Sequence, residues 1–130
     1  MFHKIANNDD RREYGGSALI EMQYCKLKIG TSIKRLVAVD SINKWQNDSL
    51  YIYIDDIDTF YCEYKEVFTN GLYNNNQFGI MDINGINYYA QQEVLKIIDR
   101  ITSKKPKEYE KLLEWLDNGL HYNGIYILGI

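Results

Sequence analysis

At 130 residues, the chain predicts a single domain that is large enough to bury a substantial core. Its hydrophobic share of 45% and aromatic share of 14%, with twelve tyrosines, exclude a disordered or low-complexity segment. The net charge of −3 argues against direct nucleic-acid binding, which normally depends on a concentrated basic face.

The cysteines and the apolar runs predict the compartment and the cofactors. Cys25 and Cys62 lie far apart, and neither belongs to a C-x-x-C motif or has a histidine at metal-ligand spacing. We therefore expect reduced thiols, with no metal and no cofactor. The N-terminus has no long apolar core, and no run reaches the roughly 18 apolar residues of a membrane span. These features predict a cytoplasmic protein that does not contact a membrane.

The first third of the chain predicts two strands after a polar start. Residues 1–16 show little apolar periodicity and end in two glycines, so we expect a loop or flexible lead-in. Alternating apolar residues predict a strand from Ser17 to Ile29. The β-branched stretch from Ile33 to Ile42 favours a second strand. Trp45 follows in a loop, either as a lid on the core or as a contact residue.

The stretch from Ser49 to Gly71 shows the clearest change of period. Leu50, Ile52 and Ile54 alternate with polar or aromatic residues, which predicts a strand. From Ile57 onwards, apolar residues recur at steps of three and four, which predicts an amphipathic helix. Asp55 or Asp56 is the expected cap, and Asn70-Gly71 the expected left-handed stop, with Gly71 in the left-handed conformation. Three strands with short connections suggest an antiparallel meander.

The remainder predicts a hairpin, two helices and a buried last strand. Leu72 to Gln77 is expected to be a surface loop, and Phe78 to Ile83 a strand. Asn84-Gly85 is a strong hairpin signal, with Ile86 to Ala90 either as the return strand or as a loop leading into a helix. Helices are predicted at Gln91 to Ile101 and from Pro106, at its first position, to Asn118-Gly119.

The apolar run from Tyr122 to Ile130 is too short for a helix of its own and predicts a terminal strand. Together these elements predict one α+β domain, with a mostly antiparallel sheet of about five strands and about three helices packed on it.

One short motif suggests catalysis. Asp56-Ile57-Asp58-Thr59 follows an apolar strand and resembles the D-x-D-x-T motif of haloacid dehalogenase-type phosphatases. The resemblance implies that Asp56 would attack phosphorus and that Asp58 would act as acid and base. Such enzymes need a parallel sheet and further acids for Mg²⁺, whereas the strands here predict an antiparallel sheet. A small phosphatase-like hydrolase is therefore the alternative, and helix capping is the favoured role.

Five segments of the last third of the chain carry a resemblance to a known family: Gly85 to Tyr89, Gln91 to Ile98, Lys105-Pro106, Leu113 to Leu116, and Tyr122 to Ile130. With part of the acidic strand-helix unit, they resemble small bacterial immunity proteins of contact-dependent growth inhibition systems. The resemblance implies a cytoplasmic, non-enzymatic protein. Such a protein binds the C-terminal domain of a cognate toxin, commonly a nuclease, and occludes its active site.

The contact with the toxin is predicted from charge. Residues 48–66 contain six acids and one base, a local charge of −5, with aromatic residues close in sequence. An acidic, aromatic surface complements the basic face of a nuclease. The alternative is that these acids form only a solvated helix face. The predicted toxin-binding residues are Trp45, Asp48, Asp55, Asp56, Asp58, Glu63, Glu66 and Tyr73.

Overall fold

A computed structural model describes residues 1–14, 19–42, 45–73 and 78–129. In chain order, its elements are α1 (Asn8–Tyr14), β1 (Leu19–Tyr24), α2 (Ile33–Leu36), α3 (Val39–Ile42), β2 (Leu50–Tyr53), α4 (Ile54–Tyr64), β3 (Gly71–Tyr73), β4 (Phe78–Gly79), β5 (Ile86–Tyr89), α5 (Gln91–Lys104), α6 (Tyr109–Gly119) and β6 (Ile125–Gly129). The helices α4, α5 and α6 are the long ones among these.

The strands form one antiparallel sheet in the order β2-β1-β6-β5-β3-β4. This confirms the predicted α+β class with a mostly antiparallel sheet. The last strand, β6, lies between β1 and β5, which are far apart in sequence. None of the helices in the described ranges combines the length and apolar character needed to cross a bilayer.

The larger core lies between the sheet and the three long helices. Alternate residues of β1, namely Ile20, Met22 and Tyr24, point to this side, as their spacing of two requires. The helices contribute side chains at steps of three and four, such as Val94, Ile97 and Ile101 of α5. Tyr24 stacks between the rings of Trp115 and Tyr122, with centroids 4.2 and 4.7 Å away.

The other face of the sheet is covered as well. Leu36 and Ile42, from α2 and α3, pack against Tyr88, Tyr126 and Leu128 of β5 and β6. Ile5 packs on Leu19, the first residue of β1, and on Tyr51 of β2. All six residues of β1 are therefore buried, including the polar residues of its second face.

The prediction that residues 1–16 form a loop or flexible lead-in is wrong for residues 8–14, whereas residues 1–7 form no helix and only the isolated bridge at His3. Asn8–Tyr14 is the helix α1, whereas Gly15 and Gly16 lie outside the described residues. Phe2 is buried, with its ring edge-on to Phe60 and Tyr64 at 6.1 and 5.6 Å. His3 exchanges two backbone hydrogen bonds with Tyr51, which covers the outer edge of β2. The buried side chains of Phe2 and Ile5, together with these backbone bonds, hold this mostly polar segment against the rest of the domain.

The predicted strand from Ile33 to Ile42 is also wrong, because this segment forms the single-turn helices α2 and α3. Its backbone amides form helical hydrogen bonds within the segment. The Leu36 N–H donates to the Ser32 carbonyl at 3.0 Å, and the Val37 N–H donates to the Ile33 carbonyl at 3.2 Å. Leu36, Val37 and Ile42 are buried, a spacing that a strand cannot place on one side. The predicted three-strand meander does not form within the described ranges. Only two of its three strands exist, and β1 lies between β2 and β6 in the sheet.

The strand-helix unit at residues 49–71 is confirmed, but its boundaries differ. The helix α4 begins at Ile54, so Asp55 and Asp56 lie inside its first turn, and no side chain caps the amides there. The left-handed residue after the helix is Asn70, with φ of 60°, whereas Gly71 begins β3. Gly71 is needed for space: a Cβ on it would meet the ring of Tyr89 at 2.9 Å.

The predicted Asn84-Gly85 hairpin is wrong, although the return strand exists as β5. The preceding strand, β4, is reduced to Phe78–Gly79 and pairs with β3, which was predicted to be a loop. The Asn87 side chain accepts from the Asp82 N–H at 2.8 Å and donates to the Asp82 carbonyl at 2.7 Å. These bonds hold the chain before β5 in a turn, so that β3 becomes the partner of β5.

The C-terminal third matches its predicted elements most closely. Both helices form, and α6 ends at Gly119 as predicted. However, α6 begins at Tyr109, and Pro106 lies in the turn before it. The predicted terminal strand forms as β6, of which Ile130 lies outside the described residues.

Candidate functional site

The first two turns of α4 carry an exposed part of the predicted contact. The strand β2 runs directly into α4, so that Tyr53 is both its last residue and the N-cap of the helix. Phe60 and Tyr64 are fully buried and fix one side of the helix to the core. The opposite side faces solvent, and it includes Ile54, which is 62% exposed.

Two of the predicted acids on this side have no partner among the residues that the structure describes. The Asp55 and Asp58 side chains are exposed and make no hydrogen bond or ion pair with any described residue. Asp56 is half-buried and lies 3.9 Å from the α-amino group of Met1, which is closer to Glu108 at 3.1 Å. Ile54, Asp55 and Asp58 therefore form an accessible surface, which we call the acidic start of α4.

The other predicted acids are already engaged. Asp48 pairs with Lys26 at 2.9 Å, and its carbonyl accepts from Trp115 Nε1 at 2.7 Å. Glu66 pairs with Lys104 at 2.9 Å, and this hydrogen bond lowers the pKa of its carboxyl. Glu63 accepts from the Lys107 backbone N–H at 3.3 Å. The charge of −5 counted along the sequence is therefore partly neutralised by bases from distant segments.

The two predicted aromatic contacts do not join the acids in one surface. Trp45 is half-buried before β2, and its Nε1 is enclosed without a hydrogen-bond partner among the described residues. Tyr73 ends β3, and its side chain lies outside what the structure describes. Because β3 is four strand positions from β2, Tyr73 lies about 19 Å across the sheet from the β2 edge.

The helical geometry at Asp56 and Asp58 bears on the phosphatase alternative. Both residues lie within α4, where side chains two positions apart point in directions that differ by about 200°. The two carboxylates therefore cannot converge on one phosphorus atom. Nor does any group of three potential ligands gather at a metal-binding distance within the described ranges.

A buried polar cluster escaped the sequence reasoning. The Glu21 side chain on β1 is fully buried, and Arg11 of α1 donates to its Oε2 from Nη2 and Nε at 2.8 and 3.1 Å. Gln23 and Tyr51 donate to Oε1 at 2.6 and 3.1 Å. The alternation of Glu21 and Gln23 within an apolar strand was the available signal, since a strand buried on both faces must satisfy such groups internally.

A search of protein-family models, of characterised proteins and of solved structures found no match to this chain.

Proposed function

We propose that this protein is an immunity protein that binds the C-terminal domain of a cognate toxin in the cytoplasm and occludes its active site. The toxin in this proposal is a nuclease. The observation that carries the proposal is the acidic start of α4, where Asp55 and Asp58, which pair with no described residue, follow the exposed Ile54 on the same helix. The resemblance of the last third of the chain to immunity proteins supports the same function.

The chemistry of a nuclease explains why this surface suits it. A nuclease presents basic residues to the phosphate backbone of its substrate. Asp55 and Asp58 are available to this basic face because no described residue neutralises them. Opposite potentials raise the association rate, and an exposed apolar side chain such as Ile54 adds contact area once the two surfaces meet.

The scaffold holds this surface in place before binding. Phe60 and Tyr64 anchor α4 in the core, and Phe2 packs edge-on against both rings. The Tyr64 hydroxyl donates to the Lys107 carbonyl at 2.7 Å, which ties the end of α4 to the turn before α6. A partner that binds a preformed helix loses little conformational entropy in ordering it.

The proposal predicts that a large secreted protein is encoded immediately upstream, and its C-terminal domain is the toxin against which charge reversal is tested. Asp55→Lys/Asp58→Lys should slow association at low salt by about tenfold or more, and the effect should shrink at high salt. Cells that express the toxin domain should lose protection. The matched control is Asp9→Lys/Glu13→Lys, which reverses two exposed acids of α1, one of them in the first turn of its helix.

Unchanged association and full protection with Asp55→Lys/Asp58→Lys would place the interface elsewhere. If the α1 control slowed association equally, the effect would come from the net charge of the protein and not from a contact at α4. Glu63→Lys/Glu66→Lys should have the smaller effect, because the structure already pairs both acids.

The phosphatase alternative has its own measurement. Turnover of p-nitrophenyl phosphate by the purified protein with Mg²⁺, abolished in Asp56→Asn, would overturn the binding proposal. Asp56→Asn should otherwise stay within about 0.5 kcal/mol of the wild-type stability, because Asp56 is half-buried and accepts no backbone hydrogen bond within the described ranges.

A further inference from the structure

A groove lies at the sheet edge opposite β2, away from the acidic start of α4. It encloses about 500 Å³ between α2, the strands β3, β4 and β5, and the beginning of α5. Its buried apolar lining comes from Leu36, Leu72 and Tyr88. Ile33 and Phe78 also line it, although they are 52% and 68% exposed. The groove therefore combines a buried apolar floor with large apolar side chains open to water, a combination that marks interaction sites.

The backbone at this edge is open too. Within the described ranges, β4 pairs with β3 and with no other strand. At the opposite edge of the sheet, His3 covers β2 through two backbone hydrogen bonds. An edge strand with exposed N–H and C=O groups can accept an extended segment from another chain.

The charges around the groove are mainly positive. No acid occurs between Tyr24 and Asp40, and no charged residue occurs between Glu66 and Asp82, so that α2 is purely basic and both strands at this edge are uncharged. Lys34 and Arg35 of α2 are exposed and pair with no described residue.

The first turns of α5 add one more base and no free acid. Lys96 lines the groove and is exposed. Among the described lining residues, Glu93 is the single acid, and it is bound by Arg100 at 3.1 Å and approached by Lys96 at 4.0 Å. A ligand that enters the groove therefore meets an apolar floor with Lys96 in its lining. Lys34 and Arg35 stand next to the groove, on α2 between the lining residues Ile33 and Leu36.

We propose that this groove docks an extended, acidic segment of a partner protein. A large apolar side chain of that segment inserts between Ile33 and Phe78, while its flanking carboxylates face Lys34, Arg35 and Lys96. The groove would thus bind an acidic partner, whereas the acidic start of α4 is proposed to bind a basic one. The inference does not depend on the toxin proposal, since the two surfaces lie at opposite edges of the sheet.

Selection from displayed random peptides tests this inference without presupposing a partner. Peptides of about 12 residues, selected on the full chain, should be enriched in Asp and Glu that flank Phe, Leu, Ile or Met. Phe78→Ser should weaken the selected peptides by about tenfold or more, as loss of a central anchor does. Lys34→Glu/Arg35→Glu should weaken them as well, and this effect should fade at high salt.

Two control variants distinguish peptide binding in the groove from non-specific binding to other exposed apolar or basic residues. Ile29→Ser removes an apolar side chain that is 75% exposed but does not line the groove. Arg12→Glu reverses an exposed base on α1. Both should leave the peptide affinity within about twofold of the wild type, as expected for surface changes outside an interface.

Failure to enrich any peptide, enrichment of basic peptides, or equal losses in the controls would overturn the inference. Vesicles of phosphatidylglycerol and phosphatidylcholine provide the last comparison. Vesicle binding that is lost in Phe78→Ser, without any selected peptide, would assign the groove to a membrane surface instead. Because toxin binding is measured separately at α4, none of these results decides the proposed function.

Discussion

Removal of the Arg11 side chain should expose how strongly the fold depends on the buried Glu21 carboxylate. In the wild type, Arg11 donates two hydrogen bonds to Oε2, and the Glu21 side chain is 1% exposed. Arg11→Ala leaves that charge buried with only the neutral donors Gln23 and Tyr51. The cost therefore comes from an uncompensated buried charge more than from the lost contacts.

The expected loss of stability in Arg11→Ala lies at the lower end of the range known for broken buried ion pairs. Loss of one partner of a buried ion pair costs about 3–5 kcal/mol. Arg11 itself is 18% exposed, so water can reach part of the vacated space, and we expect about 3 kcal/mol. For a chain of this length, that loss lowers the melting temperature by about 11 °C. Since small domains are stable by roughly 5–15 kcal/mol, the variant should still fold.

Urea unfolding and thermal melting measure this effect, with Arg12→Ala as the neighbouring control. Arg12 is exposed, and its loss should change stability by no more than about 0.5 kcal/mol. Glu21→Gln should be less costly in the Arg11→Ala background than in the wild type, with a coupling of about 1 kcal/mol or more. Equal stability of Arg11→Ala and the wild type would refute the reasoning, as would strictly additive losses.

Two further predictions follow from packing and from pH. Gly71→Ala should destabilise the fold by about 1–3 kcal/mol in urea unfolding, because its Cβ would meet the Tyr89 ring at 2.9 Å, and Tyr89→Leu should relieve part of that loss. Burial raises the pKa of Tyr24 from its ordinary value of 10.0 to about 12, so stability present below pH 10 should be lost as the pH rises towards 12. Burial also raises the pKa of other tyrosines, whose ionisation, followed by absorbance, should coincide with unfolding instead of preceding it. They are Tyr51, Tyr64, Tyr88 and Tyr126.

The parts of the fold that sequence predicted are those whose periodicity extends over several turns or residues. The helix α5 has apolar residues such as Val94, Ile97 and Ile101 at helical steps, and all three are buried. The segment from Ile33 to Ile42 was misassigned because β-branched residues favour strands only where a neighbouring strand is available. Nothing local could reveal that β1 already has its two neighbours in β2 and β6.

The candidate site shows the same limit. Local charge correctly indicated that the start of α4 is acidic, because Asp55 and Asp58 lie within one helix. It could not show that Glu66 meets Lys104 or that Asp48 meets Lys26, since these pairs join residues 38 and 22 positions apart. Strand order likewise decides that Tyr73 lies far from β2.

The central position of β6 has a consequence for how the chain acquires its structure. The pair β1 and β2 and the group β3, β4 and β5 come from separate stretches, and β6 is the strand that joins them. The sheet therefore cannot form completely until residues 125–129 have been synthesised, and until then β1 and β5 each lack the neighbour that β6 provides. Such long-range closure slows folding, since the entropy of a large loop is lost before the contacts form. During translation, the open edges of β1 and β5 are the surfaces that a chaperone would have to protect.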